Sequence, residues 1–188
     1  MIKVYFATKN KHKVEETKLA LKPFNIEIIQ LPVKKIEPED QKIEEVAVNN
    51  AKILANQYNK PVIVDDTGIF FHAFENFPGS MPKRVFEQLG YPGLLKKVEG
   101  LKKEDRGCSY KCAVGYCEPG KEPKLFVGEV KCTLTEDVDD LDIEVLPYER
   151  ITLYKDRRYS QLTREEKDKF SHRAQAFRKL GEYLSNNS

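Results

Sequence analysis

The chain has 188 residues, of which 40% are hydrophobic, so it is long and apolar enough to bury a substantial core. Its 32 basic and 30 acidic side chains leave a formal net charge of +2, which predicts no general attraction to nucleic acid or membrane surfaces. No segment reaches the roughly 18 consecutive apolar residues of a membrane-spanning helix, and the start of the chain lacks the apolar stretch of a signal peptide. We therefore expect a cytoplasmic protein in which any anion-binding site is local.

Strand-like and helix-like patterns alternate in the first third of the chain. The pattern predicts strands at 2–8 and 26–31, helices at about 14–24 and 43–58, and a third strand that begins at Pro61. The run of β-branched residues from Val62 to Val64 is typical of a strand that is buried on both faces. We expect that strand to end at Asp65 and Asp66.

Paired strands dominate the later part of the chain. A loop is predicted at 70–79, helices at 84–89 and 93–98, an antiparallel pair at 108–117 and 124–134, short β-like runs at 143–146 and 151–154, and a closing helix from about Thr163. Together these patterns predict an α/β fold with a mixed sheet. Because no linker is long enough to divide the chain, we expect one domain over residues 1–188.

Four cysteines raise the alternative of a structural zinc site. Cys108, Cys112, Cys117 and Cys132 supply enough thiolates for tetrahedral coordination, but neither pair has the two-residue gap of a zinc knuckle. Alternation along one strand instead favours small, buried, reduced thiols.

The loop after the first strand is a candidate phosphate site. It carries Thr8, Asn10 and Lys13 just before a helix, where N-terminal amides and a cation can hold phosphate. The loop lacks the glycines of a Walker motif, and lysines in such loops are often only solvated.

Two acidic segments are candidates for metal binding. The adjacent carboxylates of Asp65 and Asp66 point to opposite sides of an extended chain, so one can ligate Mg²⁺ while the other orients a ligand. A cap of the following turn by Asp66 or Thr67 is an open alternative, whereas a haloacid dehalogenase needs aspartates two residues apart. The loop with Glu37, Glu39 and Asp40 either contributes a ligand or simply precedes a helix N-terminus.

The closing helix carries a further polar group. Ser171, His172 and Arg173 follow Lys167 by about one turn, and they either bind a ligand or form a solvated face. Neighbouring helical side chains diverge by about 100°, so no catalytic triad is indicated.

In this order, the motifs resemble the Ham1-like inosine triphosphate pyrophosphatase family over nearly the whole chain. The matching motifs are Thr8-x-Asn10-x-x-Lys13, Pro38 to Gln41, Val64 to Gly68, Phe77 to Gly79, Glu165 to Lys167, and Ser171 to Arg173. Each motif is short, and their order and spacing give the match its specificity.

The resemblance implies a fold and an activity. The expected fold is an elongated central mixed β-sheet flanked by helices, with two lobes around a cleft, in a homodimer. The expected reaction is Mg²⁺-dependent hydrolysis of a nucleoside triphosphate to the monophosphate and diphosphate. The preferred substrates would be the deaminated purine nucleotides ITP, dITP and XTP, which the enzyme would remove from the nucleotide pool.

The resemblance also implies two groups of site residues. The group at the triphosphate comprises Thr8, Asn10, Lys13, Glu39, Asp65 and Asp66. In it, Glu39 and Asp66 would hold Mg²⁺, and the catalytic residues would be Lys13, Asp65 and Asp66, with Asp66 the favoured general base. The group at the base and its neighbouring phosphate comprises Tyr148, Lys167, Ser171, His172 and Arg173, and Lys83 would be a further substrate-binding cation.

One segment departs from the family pattern. Where the family carries a motif like Phe-Gly-Tyr-Asp-Pro, this chain has Leu146 to Arg150, in which Tyr148 is kept and the leading aromatic residue is lost. Three alternatives therefore stay open: the same chemistry on a different base, a homologue that binds nucleotide without cleaving it, and an RNA-binding module. The balanced charge disfavours the last of these.

Overall fold

The computed structural model describes residues 1–36, 41–139, 142 and 144–187. The strands within them are β1 (Ile2–Ala7), β2 (Ile26–Leu31), β3 (Val62–Phe71), β4 (Pro78–Gly79), β5 (Gly107–Cys117), β6 (Lys124–Leu134), β7 (Thr152–Tyr154) and β8 (Arg157–Arg158). The α-helices are α1 (Lys11–Leu21), α2 (Ile43–Tyr58), α3 (Pro82–Val98), α4 (Arg164–Phe170) and α5 (His172–Asn186). Glu37, Glu39 and Asp40, the predicted acidic loop, lie outside the described residues.

The strands form a mixed sheet in the order β2-β1-β3-β5-β6-β7-β8, with β4 paired to β3. β1 runs parallel to both β2 and β3, whereas the β3–β4, β6–β7 and β7–β8 pairs are antiparallel. The predicted α/β class with a central mixed sheet and flanking helices is confirmed.

The chain divides into two compact units. The first unit comprises Met1–Thr67, Lys111–Glu129 and Asp168–Ser188, and the second comprises Gly68–Tyr110 and Val130–Lys167. The expectation of a single domain over residues 1–188 stays a prediction.

The core of the first unit explains the apolar run of β3. Ile63 packs in a cluster with Phe6 of β1 and Phe177 of α5, while Val62 and Val64 pack with Leu54 of α2. Successive side chains of a strand point to opposite faces, so helices cover the sheet on both sides here. This burial is the reason that three β-branched residues occur in succession.

β3 is longer than the sequence predicts. The strand was expected to end at Asp65 and Asp66, but it continues to Phe71 because β4 pairs with its end, with Ile69 opposite Gly79 and Phe70 opposite Pro78. The two aspartates therefore lie inside a strand. The alternative in which Asp66 or Thr67 caps a following turn is wrong.

The C-terminal region also differs from prediction. The predicted single closing helix is two helices, because Ser171 leaves helical geometry and caps α5 by accepting a hydrogen bond from the Ala174 amide at 3.2 Å. Residues 144–146 of the predicted β-like run form no strand, and they lead into a 3₁₀ turn at Pro147–Ile151. Proline at the first position of that turn is compatible with the turn and not with a strand ladder.

All four cysteines are buried and free. In the described part of the chain, no group of three or more His, Cys, Asp or Glu side chains is placed to hold a metal ion. In the same residues, no helix combines the length and apolar character required to cross a membrane.

Asn50 joins α2 to the backbone that follows β2. Its amide oxygen accepts a hydrogen bond from the Ile36 N–H at 2.8 Å, and its amide nitrogen donates to the carbonyls of Ile36 at 2.7 Å and Val46 at 2.8 Å. The side chain is buried, so water cannot replace these bonds if they are lost.

We predict that Asn50→Ala lowers the free energy of unfolding by about 2–3 kcal/mol, because three hydrogen bonds worth about 1 kcal/mol each disappear. Urea denaturation measures this change. Asn56→Ala on the same helix is the matched control, because Asn56 is exposed and makes one bond to the Gly120 amide. Equal stability of the two variants would contradict the prediction.

Candidate active site

The site in the first unit begins where β1 and β2 end. Phe6 lies opposite Ile63 in the parallel register, so Thr8 is level with Asp65, and Ala7 lies opposite Leu31. The carboxyl ends of parallel strands are where α/β sheets place ligands. The topology therefore brings the Thr8 loop, the segment after β2 and the aspartates of β3 to one edge of the sheet.

Asn10 shapes the loop after β1. Its side-chain oxygen accepts hydrogen bonds from the amides of His12 at 2.9 Å and Lys13 at 3.4 Å, so it is the N-cap of α1. The Thr8 hydroxyl accepts a bond from the Asn10 amide at 3.1 Å. These local bonds place Lys13 in the first turn of α1 with its side chain directed to β3.

Asp65 is the most enclosed charge of the site. Its side chain is 1% exposed, and it lies 2.9 Å from the Lys13 ammonium through Oδ1 and 3.4 Å from the Arg173 guanidinium through Oδ2. Burial alone would raise the pKa of Asp65, but Lys13, Arg173 and Lys35 outweigh it and hold that pKa well below its usual range. Asp65 is thus an anion with both oxygens engaged.

Arg173 connects three elements of the first unit. Besides Asp65 of β3, its guanidinium contacts the carboxylate of Glu16 on α1 at 2.5 Å, and Arg173 itself belongs to α5. Glu16 was missed in the sequence because an acidic residue in an amphipathic helix is normally solvated. Its contact with Arg173 depends on how the helices pack.

Asp66 points to the other side of β3, as the alternation of strand side chains predicts. The ammonium of Lys35 lies 3.3 Å from its Oδ1 and donates at 2.7 Å to the backbone carbonyl of Asp65. Burial raises the pKa of Asp66, and Lys35 offsets part of that rise. Lys35 was also missed, and the only signal was a pair of lysines just beyond the predicted second strand.

The aspartates therefore differ in their capacity to bind a cation. Asp65 has both oxygens committed to basic side chains, whereas the contact of Asp66 with Lys35 involves only Oδ1. A carboxylate whose pKa is raised by burial gains from a cation beside it, and carboxylate oxygen is the ligand type that Mg²⁺ prefers. Asp66 fits a magnesium ligand, while Glu39, its predicted partner ligand, lies outside the described residues.

Ser171 and His172 begin α5 in the same unit. The serine hydroxyl is used in the helix cap, and burial, followed by the nearby Arg173 charge, lowers the pKa of His172 to about 3. The imidazole is therefore neutral at pH 7. Gly128 of β6 lies against this helix start, where an added Cβ would meet the His172 carbonyl and the Ala176 amide. A lone glycine inside a strand pattern was the available signal for such a close approach.

Three of the predicted residues belong to the second unit. Tyr148 is 3% exposed, packs edge-on against Phe71 and Phe86, and donates a hydrogen bond to the Pro82 carbonyl at 2.9 Å. Lys167 pairs with Glu149 at 2.8 Å. Lys83 is 90% exposed and lies 3.7 Å from Glu87.

The first unit brings together most of the predicted site residues. They are Thr8, Asn10, Lys13, Asp65, Asp66, Ser171, His172 and Arg173. The predicted roles of these residues, and those of Lys83, Tyr148 and Lys167 in the second unit, stay predictions.

These features define an α/β protein with a cluster of carboxylates and basic side chains, centred on the buried Asp65, at the carboxyl edge of parallel strands. A model of the Ham1 family matches residues 4–183, and the chain belongs to that family.

Curated relatives match along nearly their whole length. A dITP/XTP pyrophosphatase of Methanosarcina mazei is 40% identical over 176 residues, covering 94% of each chain. The dITP/XTP pyrophosphatase of Methanopyrus kandleri is 36% identical, covering 99% of this chain and 98% of the relative. Among solved structures, a HAM1 protein from Coxiella burnetii aligns with a TM-score of 0.83 at 23% identity, over 99% of this chain and all of the other. That likeness supports the fold.

We predict that His172 makes stability fall with acidification. Its folded pKa of about 3 lies below the unfolded value near 6.5, so between these values only the unfolded chain binds the proton. The contribution of His172 is complete above about pH 6.5 and decreases as the pH falls towards 3. Between pH 7.5 and 5.0, the free energy of unfolding should therefore fall by up to about 2 kcal/mol less in His172→Gln than in the unchanged protein. Urea denaturation at the two pH values measures this difference. Parallel losses in the two proteins would contradict this assignment.

Proposed function

We propose that this chain is a nucleoside triphosphate pyrophosphohydrolase that converts deaminated purine nucleotides, such as dITP and XTP, to the monophosphate and diphosphate. The supporting relatives carry the name dITP/XTP pyrophosphatase and match at 34–40% identity. The observation that carries the proposal is the pair of aspartates on β3, one fixed by Lys13 and Arg173 and the other in contact with Lys35 only through Oδ1.

Charge balance supports a requirement for a divalent cation. The described cluster contains the cations Lys13, Lys35 and Arg173 and the anions Glu16, Asp65 and Asp66. Three positive and three negative charges cancel, so the cluster alone offers a triphosphate little net attraction. Mg²⁺, held by Asp66 and Glu39 in this proposal, would supply positive charge and polarise the phosphate oxygens.

Each aspartate then has a distinct task. Burial raises the pKa of Asp66, which makes it the better proton acceptor of the two aspartates, and it would orient and deprotonate the water that attacks the α-phosphorus. Asp65 stays ionised between Lys13 and Arg173 and fixes both cations. Lys13 also lies in the first turn of α1, where Thr8 and Asn10 shape a loop suited to phosphate.

Recognition of the base is proposed for a second set of side chains. It comprises Ser171, His172 and Arg173 at the start of α5. The neutral imidazole of His172 offers both a donor and an acceptor nitrogen, which suits a purine with a 6-oxo group. The homodimer and the cytoplasmic location that accompany this activity are part of the same proposal.

The first test is a substrate panel. Purified protein with Mg²⁺ is incubated separately with ITP, dITP, XTP, ATP, GTP, CTP and UTP, and monophosphate and diphosphate are quantified. Diphosphate released chiefly from ITP, dITP or XTP is expected. Release from another base would assign the altered segment Leu146 to Arg150 to a new specificity, and binding without product would favour the non-hydrolysing homologue.

We predict that Asp66→Asn lowers kcat by about 100-fold or more, the usual contribution of a general base. The assay is diphosphate release at saturating nucleotide and Mg²⁺. Glu27→Gln is the matched control, because Glu27 is a half-exposed acid on β2 that pairs with Lys3. Near-normal turnover by a folded Asp66→Asn variant would refute the mechanism.

A further inference from the structure

Lys35 is placed where a cation bound to Asp66 would lie. Its ammonium is 3.3 Å from Asp66 Oδ1, and the two side chains are only 11% and 14% exposed. The ammonium also donates to the Asp65 carbonyl at 2.7 Å, so it is held against β3 by a second, uncharged partner. An ion pair this shielded is screened by solvent much less than a surface pair.

The backbone beside Lys35 is also fixed. Asn50 clamps the next residue, Ile36, through both its N–H and its carbonyl, and Asn50 is itself buried on α2. The position of the ammonium therefore depends on ordered backbone as well as on the flexible side chain. Lys34, by contrast, is exposed.

We propose that Lys35 is a built-in competitor of the divalent cation: in the nucleotide-free protein it neutralises Asp66 and keeps the metal weakly bound. Two cations beside one carboxylate repel each other, so each lowers the affinity of the site for the other. A triphosphate relieves this repulsion, because its oxygens supply negative charge for both cations. Metal and nucleotide therefore bind together, and the displaced ammonium of Lys35 stays beside the phosphates as a positioning residue.

This inference rests on the proposed function in one respect, the assignment of Asp66 as the metal-binding carboxylate. The experiment therefore measures binding of Mn²⁺ alone, as a substitute for Mg²⁺ with the same preference for oxygen ligands. Electron paramagnetic resonance of free Mn²⁺ reports the Kd without nucleotide and without turnover.

Charge removal should strengthen metal binding. We expect Lys35→Met and Lys35→Gln to bind Mn²⁺ at least about tenfold more tightly than the unchanged protein, equivalent to about 1.4 kcal/mol. Lys35→Arg keeps the charge and should stay within about twofold of the unchanged protein, as should the exposed control Lys34→Met. The gain in Mn²⁺ affinity should vanish when Lys35→Met is combined with Asp66→Asn. Addition of a non-hydrolysable purine nucleoside triphosphate should reduce the difference between Lys35→Met and the unchanged protein.

Several results would overturn the inference. Unchanged or weaker Mn²⁺ binding by both folded neutral variants would show that Lys35 does not compete, and a gain that survives loss of the Asp66 charge would place the metal elsewhere. Thermal unfolding identifies a variant that fails to fold, in which case the other neutral variant decides. A tighter Mn²⁺ site in a chain that hydrolyses no nucleotide would refute the proposed function while supporting the competition.

Discussion

The site depends on the pairing of the buried Asp65 carboxylate with basic side chains. An anion in this position is unfavourable unless it is paired, and the required cations come from two different helices, Lys13 of α1 and Arg173 of α5. Arg173 in turn pairs with Glu16, so the charges form a continuous chain across the three elements. Removing one of these side chains would leave a buried charge without its partner. The aspartate, the lysine and the arginine therefore stabilise one another as a single network. Because this network engages both oxygens of Asp65, the neighbouring Asp66 is the carboxylate with capacity for a further cation.

Much of the fold could be predicted because the patterns are local. β2, α2 and β6 have the predicted bounds, since their apolar periodicity begins and ends with turn-forming or polar residues. The errors arise where distant residues decide. β3 extends past its aspartates because β4 pairs with it, and the closing helix divides because Ser171 adopts capping geometry within a sequence whose helical periodicity continues on both sides.

The motifs of the candidate site could be predicted from the sequence, but the contacts between its side chains could not. The aspartates, Lys13 and Arg173 belong to recognisable segments, and the parallel strand order explains why they meet. Lys35 and Glu16 belong to no such segment. Lys35 is important because its long side chain contacts a carboxylate on β3, and Glu16 because its side chain contacts the guanidinium of Arg173. Which oxygen of each aspartate is engaged is likewise a matter of packing, and that detail distinguishes the two carboxylates chemically.

The location of both aspartates inside β3, rather than in a loop beyond it, has a consequence for motion. Both belong to β3, which lies between β1 and β5 in the strand order, so their backbone is held as part of a sheet strand. The anions are thus the stationary part of the site. Lys13 and Lys35 are attached through long side chains with several rotatable bonds, so rotamer changes suffice to rearrange the positive charge around a fixed negative frame.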